Sequence, residues 1–117
     1  MAILGIGVDV VDLERFARSL ERTPTLRDRL FTPAESGLPL ESLAGRFAAK
    51  EAFVKAMSGP PGMSWHDIEV VSGAEGQPSL HLRGGALDRA NERGMTTAHV
   101  SISHDTIVAT AFVVTEC

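Results

Sequence analysis

One stretch near the middle of the chain, residues 45–56 with the sequence GRFAAKEAFVKA, constrains the fold more than any other. Its residues are good or adequate helix formers, and no Pro and no further Gly occurs before Gly59. We therefore predict one long helix from about Glu41 to Met57. Alanines four residues apart stack on one face, and apolar side chains cover most of the circumference, which predicts that this helix is buried.

Four charged side chains interrupt this apolar helix: Arg46, Lys50, Glu51 and Lys55. A buried charge is costly unless it is paired or bound to something. The only two lysines of the chain lie here, and Glu51 and Lys55 are one turn apart on one face. Two interpretations stay open for these two residues. They form a surface ion pair worth about 0.3–0.5 kcal/mol, or they place a carboxylate for a metal ion beside cations for phosphate.

The length and composition predict one globular domain that spans residues 1–117. A net charge of −4 argues against a nucleic-acid-binding protein, whose binding surface is basic. No apolar run approaches the length of a membrane span, and the apolar N-terminal stretch lacks the basic residues of a signal peptide. The single cysteine, Cys117, cannot form an internal disulfide. We therefore expect a cytoplasmic protein that binds neither nucleic acid nor membranes.

The first predicted strand, residues 3–11, is aliphatic and β-branched, which is typical of a buried strand. Gly5 and Gly7 do not form a dinucleotide-binding loop, because Val10 occupies the place of its third glycine. Two glycines within a strand indicate instead a close approach of another backbone. Asp9 is an acid inside this apolar strand. It either pairs with an arginine or a capping N–H group, or it is a metal ligand.

Asp12 is predicted to cap a helix that ends at about Arg22. Arg15, Arg18 and Arg22 fall at positions i, i+3 and i+7, so they share one face of that helix. Acidic residues are interspersed among them, and a solvated, ion-paired face is one interpretation. The other interpretation is a docking surface for an acidic partner.

The rest of the chain alternates between short elements and turns. For the helices and loops, we predict a helical turn at 26–31, a helix start at 32–35, a Gly/Pro loop at 58–62 and a helix at 86–93. We predict strands at 65–71 and 79–82, joined by a hairpin connection at 73–78. Two further strands are predicted, one at 98–105 and a fully buried one at 107–114. Alternation places His99, Ser101 and Ser103 on one face of the strand predicted at 98–105. A lone histidine is most often a hydrogen-bonded structural group, but several polar groups packed within six residues favour a site.

Together, these segments place polar groups in apolar surroundings at Asp9, at the central helix and at residues 99–105. Two carboxylates from different elements are too few for a Ca²⁺ site. They suit Mg²⁺, which keeps water ligands and takes further oxygens from substrate phosphates. Lys55, Arg46 and the histidines would bind those phosphates. The residues alone therefore indicate a Mg²⁺-dependent phosphate or pyrophosphate transferase.

The motifs also resemble one family over essentially the whole chain. The residues that carry the resemblance are GIGVD at 5–9 with Arg15, GRFAAKEAFVKA at 45–56, WHDIEV at 65–70 and HVSISH at 99–104. They resemble the holo-acyl-carrier-protein synthases, the short bacterial class of 4′-phosphopantetheinyl transferases. The resemblance implies an α+β fold with a small antiparallel sheet packed around a long central helix. It also implies a homotrimer in which two neighbouring chains share each active site.

The reaction that this resemblance implies begins with coenzyme A, whose pyrophosphate binds Mg²⁺. A serine hydroxyl of an apo acyl carrier protein attacks the β-phosphorus, and adenosine 3′,5′-bisphosphate leaves. By position, Asp9 and Glu51 would bind Mg²⁺, and Lys55 would neutralise charge on the phosphates. Glu51 is the leading base, while His104 and Asp105 are weaker candidates for proton transfer.

Further roles follow from the same resemblance. Arg15, Arg18 and Arg22 would dock the acidic carrier protein. The residues expected to contact coenzyme A are Arg46, Lys55, Gly59, Gly76, Pro78, His99 and Ser103. The alternatives are a non-catalytic trimer that binds coenzyme A or a nucleotide, and a plain module for interaction with carrier proteins.

Overall fold

The structure is a computed structural model that describes residues 1–59 and 63–117. The strands are β1 (Ile3–Asp12), β2 (Ile68–Ser72), β3 (Pro78–Leu82), β4 (Thr97–His104) and β5 (Val108–Glu116). The helices are α1 (Leu13–Arg22), α2 (Leu26–Leu30), α3 (Pro33–Ser36), α4 (Leu40–Ala56) and α5 (Gly84–Glu92). A 3₁₀ turn, Trp65–Asp67, begins the segment that was predicted to be all strand, because Ser64 caps it as it would a helix. The predicted α+β class is confirmed, and residues 60–62 of the predicted Gly/Pro loop lie outside the described residues.

The predicted central helix is α4, and the strands surround it. β1, β5 and β4 form an antiparallel sheet in that order, and β2 and β3 form a separate antiparallel hairpin. Leu43, Ala48 and Phe53 of α4 are completely buried between these layers. None of the helices within residues 1–59 and 63–117 is long and apolar enough to cross a membrane.

Two of the predicted helix starts have the expected hydrogen bonds. The Asp12 carboxylate accepts a hydrogen bond from the backbone N–H of Arg15 at 2.9 Å, which caps α1. Thr32 and Glu35 form a reciprocal capping box around Pro33 at the start of α3. Both caps therefore follow from local sequence alone.

The two glycines of β1 let the strand lie directly on α4. A Cβ atom at Gly7 would overlap the carbonyl oxygen of Ala52, and one at Gly5 would overlap that of Ala56. Glycine is the only residue that permits such an approach between a strand and a helix backbone. The predicted close approach is confirmed, and it brings Asp9 of β1 to the last turns of α4.

Only one face of the three-stranded sheet is buried in the single chain. Alternate side chains point away from α4, and Ile6, Val8 and Phe112 are 55%, 48% and 46% exposed. The predictions of a buried strand at 3–11 and of a fully buried strand at 107–114 are therefore wrong for the outer face of the isolated chain. Such an apolar surface is typical of a contact with another protein.

A buried ion pair joins α4 to the segments on its other side. Lys50 has no exposed surface, and its Nζ atom donates to Glu35 Oε1 at 2.6 Å, to the Leu30 carbonyl at 2.8 Å and to the Trp65 carbonyl at 3.1 Å. Glu35 also accepts hydrogen bonds from the backbone N–H groups of Thr32 and Val70. Burial lowers the pKa of Lys50, and the Glu35 carboxylate opposes that shift. This pair was not predicted, because Glu35 was assigned only to a capping box.

We expect Lys50→Met to lower the free energy of unfolding by about 3–5 kcal/mol, because it leaves the Glu35 carboxylate buried without its cation. The double variant Glu35→Met/Lys50→Met removes both charges and should be more stable than the single variant, although the backbone groups that the pair had bonded lose their partners. Urea unfolding followed by circular dichroism measures both values. A double variant as unstable as the single one would contradict this account of the pair.

We expect Gly7→Ala to lower the free energy of unfolding by about 3 kcal/mol or more, since the new methyl group would overlap the backbone of α4. Gly37→Ala is the matched control, because a Cβ atom at Gly37 meets nothing within 4 Å. Its stability should stay within about 0.5 kcal/mol of the wild type. Equal effects of the two substitutions would show that strand β1 tolerates a side chain at this contact.

Candidate active site

A cleft of about 350 Å³ opens where β1, α1 and α4 meet. We call it the carboxylate cleft. Its lining includes three residues predicted to act together, Asp9, Glu51 and Lys55. The other lining residues are Val10, Val11, Asp12, Arg15, Phe16, Ser19 and Phe47. The sheet-to-helix contact at the β1 glycines therefore assembles acids and a cation from widely separated parts of the chain.

Lys55 pairs with Asp9 in this cleft. Its Nζ atom donates to Asp9 Oδ1 and to the carbonyl oxygen of Val8, both at 3.0 Å. This contact differs from both simple interpretations of the sequence, which paired Lys55 with Glu51 and Asp9 with an arginine or a capping N–H group. The Lys55 side chain is about half exposed, so a ligand in the cleft can reach its ammonium group.

The surroundings of Glu51 in the cleft disfavour the charged form of its carboxyl group. Partial burial raises its pKa, and the negative charge of Asp9 raises it further, while Lys55 acts in the opposite direction. Two carboxylates that repel each other in one cleft form a site that favours an added cation. No group of three or more His, Cys, Asp or Glu side chains arranged for a metal occurs among residues 1–59 and 63–117. Two carboxylate ligands fit Mg²⁺, which needs few protein ligands, better than Ca²⁺ or Zn²⁺.

A second cleft, of about 240 Å³, lies where the start of α4 meets the β2–β3 hairpin and the end of β4. We call it the arginine cleft. Four of the predicted site residues line it: Arg46, Gly76, Pro78 and His104. Glu41, Ser42, Ser72 and Ile102 complete the lining. His104 thus lies with the predicted coenzyme A contacts, away from Glu51.

Arg46 is held in place but keeps a free donor. Its Nη2 atom donates to Ser72 Oγ at 2.9 Å, while its buried Nε atom has no hydrogen-bond partner among the described residues. The guanidinium group of Arg46 lines the cleft, and such a group pairs well with an anionic ligand. The arginine cleft is therefore chemically suited to a phosphate group.

The two clefts face different sides of α4. Arg46 and Glu51 are five residues apart, which separates their side chains by about 140° around the helix axis. One ligand bound in a single chain cannot readily occupy both clefts. A site that uses residues of both clefts would therefore combine the carboxylate cleft of one chain with the arginine cleft of another.

Several predicted site residues lie outside both clefts. The imidazole Nε2 of His99 lies 2.6 Å from Glu116 Oε1, and Ser103 is exposed on the same face of β4. Asp105 accepts hydrogen bonds from the N–H and hydroxyl groups of Thr106, which lower its pKa and fix the turn between β4 and β5. Gly59 follows α4 with a φ of +21°. Their predicted roles remain predictions.

The arginines of α1 differ in their surroundings. Arg15 lines the carboxylate cleft. Arg18 is exposed and donates to Glu14 at 3.1 Å, and Arg22 is exposed near the end of the helix. Of these three, Arg15 alone adjoins the acids, so the predicted docking face reaches the cleft at Arg15.

Sequence reasoning missed the aromatic wall of the carboxylate cleft. The rings of Phe16 and Phe47 stack with centroids 5.6 Å apart, and Phe47 also contacts Trp65 at 5.5 Å. Helical spacing could have identified Phe47, which lies one turn before Glu51. It could have identified Ser19 in the same way, because Ser19 lies one turn after Arg15 and donates to its carbonyl oxygen.

Comparison with known proteins gives a consistent result. A sequence profile of the 4′-phosphopantetheinyl transferase superfamily matches residues 5–111. The holo-acyl-carrier-protein synthase of Leifsonia xyli is 62% identical over 114 residues, which cover 97% of each chain. The protein of the same name from Frankia alni is 53% identical over 117 residues, which cover 99% of each chain.

Solved structures agree with this match. The holo-acyl-carrier-protein synthase of Neisseria meningitidis aligns with a TM-score of 0.89 at 35% identity, covering 99% of this chain and 100% of that one. The Helicobacter pylori synthase, solved in complex with coenzyme A, aligns with a TM-score of 0.84 at 29% identity, covering 95% and 99%. The chain therefore belongs to the 4′-phosphopantetheinyl transferase superfamily and is a transferase. The resemblance drawn from the sequence motifs is confirmed.

Proposed function

We propose that this chain transfers the 4′-phosphopantetheine arm of coenzyme A to a serine of an apo acyl carrier protein. The products are the holo carrier protein and adenosine 3′,5′-bisphosphate, and the reaction depends on Mg²⁺. The observation that supports this most directly is the meeting of Asp9, Glu51 and Lys55 in one cleft. In this proposal the 117 residues form a single transferase domain.

Asp9 and Glu51 would hold the Mg²⁺ ion, which when bound polarises the diphosphate of coenzyme A and offsets its charge. Lys55, already directed into the cleft by Asp9, would contact a phosphate oxygen and stabilise the charge that develops on the leaving group. The carrier serine Oγ forms a bond to the β-phosphorus as the bond from that phosphorus to the bridging oxygen breaks. Glu51, whose pKa is raised by burial and by the charge of Asp9, would accept the serine proton.

The arginine cleft would bind the nucleotide end of coenzyme A. The guanidinium group of Arg46 and the imidazole of His104 would be its phosphate-binding groups. Gly76 and Pro78, from the turn of the β2–β3 hairpin, would contact the nucleotide. We also assign contacts with coenzyme A to Gly59, His99 and Ser103, and a minor role in proton transfer to His104 and Asp105.

The active unit that we propose is a homotrimer with its active sites between subunits. The exposed apolar face of the sheet, with Ile6, Val8 and Phe112, supplies a surface for contact with a neighbouring chain. Such a contact would bring the carboxylate cleft of one chain to the arginine cleft of another. The separation of Arg46 and Glu51 around α4 supports this arrangement.

The carrier protein would dock on α1. Acyl carrier proteins are acidic, and Arg15, Arg18 and Arg22 are exposed on this helix. Since Arg15 also lines the carboxylate cleft, a carrier bound at this face would present its serine close to Glu51 and Lys55. The proposed location of the reaction is the cytoplasm.

We expect an apo acyl carrier protein incubated with the chain, coenzyme A and Mg²⁺ to gain the mass of one phosphopantetheine group. Glu51→Gln should reduce the initial rate at least about a hundredfold, because it removes both a proposed metal ligand and the proposed base. Mass spectrometry of the carrier protein measures both. Glu92→Gln is the control, since Glu92 is exposed on α5 and lines neither cleft. No mass gain with any of several carriers in the presence of Mg²⁺ would reject the transferase and favour a non-catalytic binding protein.

We expect Arg15→Ala to raise the KM for the carrier protein about tenfold at low salt, which corresponds to one lost contact between charges at a docking surface. The effect should shrink as salt increases, because ions screen exposed charges. Arg18→Ala should have a smaller effect, since Glu14 already neutralises Arg18. The affinity for coenzyme A, measured by calorimetry, should not change in either variant. No effect of Arg15→Ala at low salt would contradict the assignment of the docking face to this part of α1.

A further inference from the structure

We propose that the buried pair Lys50–Glu35 is a positioning element for the arginine cleft. It fixes the β2–β3 hairpin on α4 so that Arg46 and the hairpin turn form one binding surface. This inference rests on the proposed function, because it assigns the arginine cleft to the nucleotide end of coenzyme A. Neither residue lines the carboxylate cleft or the arginine cleft, so we assign neither a contact with the substrate.

The pair holds the beginning of β2 at two points. Glu35 Oε2 accepts a hydrogen bond from the N–H of Val70 at 2.9 Å. Lys50 Nζ donates to the carbonyl oxygen of Trp65 at 3.1 Å, three residues before β2 begins. Lys50 belongs to α4, so the hairpin is attached to the central helix through these two side chains.

This attachment leads directly to the arginine cleft. Ser72, two residues after Val70, ends β2 and accepts the hydrogen bond from Arg46. Arg46 lies four residues before Lys50 and therefore on the same side of α4. The hairpin turn that follows Ser72 carries Gly76 and Pro78 into the cleft. A shift of β2 along α4 would consequently move the turn away from the Arg46 guanidinium.

Two other side-chain hydrogen bonds reach β2 from earlier parts of the chain, from Thr32 to Glu69 and from Arg46 to Ser72. Of these contacts, only the Lys50–Glu35 pair is completely buried. β2 and β3 form a two-stranded sheet that is not hydrogen-bonded to the three-stranded sheet within residues 1–59 and 63–117. Apolar packing on α4 alone permits sliding, whereas hydrogen bonds to a buried charge fix one register. A buried charge pair is often no more stabilising than an apolar pair, so its contribution here is the fixed geometry.

The acids of the carboxylate cleft are placed without this pair, although the aromatic wall of the cleft reaches Trp65 through Phe47. The cleft is formed by β1, α1 and α4, and β1 is fixed on α4 by the contacts of Gly5 and Gly7 with the helix backbone. Disruption of the Lys50–Glu35 pair should therefore weaken nucleotide binding while leaving Mg²⁺ dependence intact. A loss of overall stability would alter both clefts together.

The test uses the double variant Glu35→Met/Lys50→Met, with calorimetric titration of adenosine 3′,5′-bisphosphate as the readout. We expect its Kd to rise about tenfold, and the KM for coenzyme A to rise with it. The kcat value and the Mg²⁺ concentration for half-maximal rate should stay within about twofold of the wild type, because the acids of the carboxylate cleft keep their positions. A folded double variant that binds the nucleotide as the wild type does would overturn the inference.

Two further variants keep the test decisive. Val113→Ala removes part of a completely buried side chain on β5, away from the hairpin, and serves as the control for a loss of stability. Its Kd should match the wild type, and a tenfold rise would show that any destabilisation has this effect. If the double variant does not fold, Glu35→Gln replaces it in the test. Lys50 and Val70 donate to different carboxylate oxygens of Glu35, and the amide of Gln keeps only one acceptor oxygen. An unchanged Kd for Glu35→Gln would overturn the inference as well.

The outcomes separate this inference from the proposed function. A wild-type chain that binds adenosine 3′,5′-bisphosphate but never modifies a carrier protein would reject the transferase reaction, while the variants would still test the positioning role. A wild-type chain that does not bind the nucleotide would overturn both. A wild-type chain that modifies the carrier, with unchanged nucleotide binding in the folded variants, would overturn the positioning role alone.

Discussion

The direct contact between the β1 backbone and α4 is the constraint on which the rest of the structure depends. Gly5 and Gly7 have no side chains to hold the strand away from the helix, so the strand crosses the carbonyl groups of Ala52 and Ala56. That approach places Asp9 at the last turn of α4, where Lys55 bonds to it. Acids and a cation from distant parts of the chain therefore meet in one cleft because Gly5 and Gly7 carry no Cβ atom.

Helix α4 contributes side chains to both clefts, and it does so from different sides of the helix. Glu51 and Lys55 face the carboxylate cleft, whereas Arg46 faces the β2–β3 hairpin. Lys50 lies between them, fully buried, and connects the helix to the hairpin. The helix can be largely buried although it carries these charges, because each charged group either forms an ion pair or faces one of the two clefts.

The sequence allowed much of this to be predicted. Helix propensity and the two β1 glycines located α4, the strand contact and the acids of the carboxylate cleft. The partner of Lys50 could not be predicted, because the pairing of residues 35 and 50 depends on how two helices pack and leaves no periodic signal. The exposed faces of β1 and β5 were misjudged for a related reason. Hydrophobic strands look alike whether the chain's own core or another subunit covers them.

The apolar outer face of the sheet has a consequence for how the protein behaves as its concentration changes. In the proposed assembly, each chain holds only part of a working site, and hydrophobic contact between sheets completes it. Dilution would then inactivate the enzyme by dissociation while every chain stayed folded. Newly synthesised chains would likewise be inactive until they assembled with other copies. The activity would therefore rise more steeply than in proportion to the protein concentration.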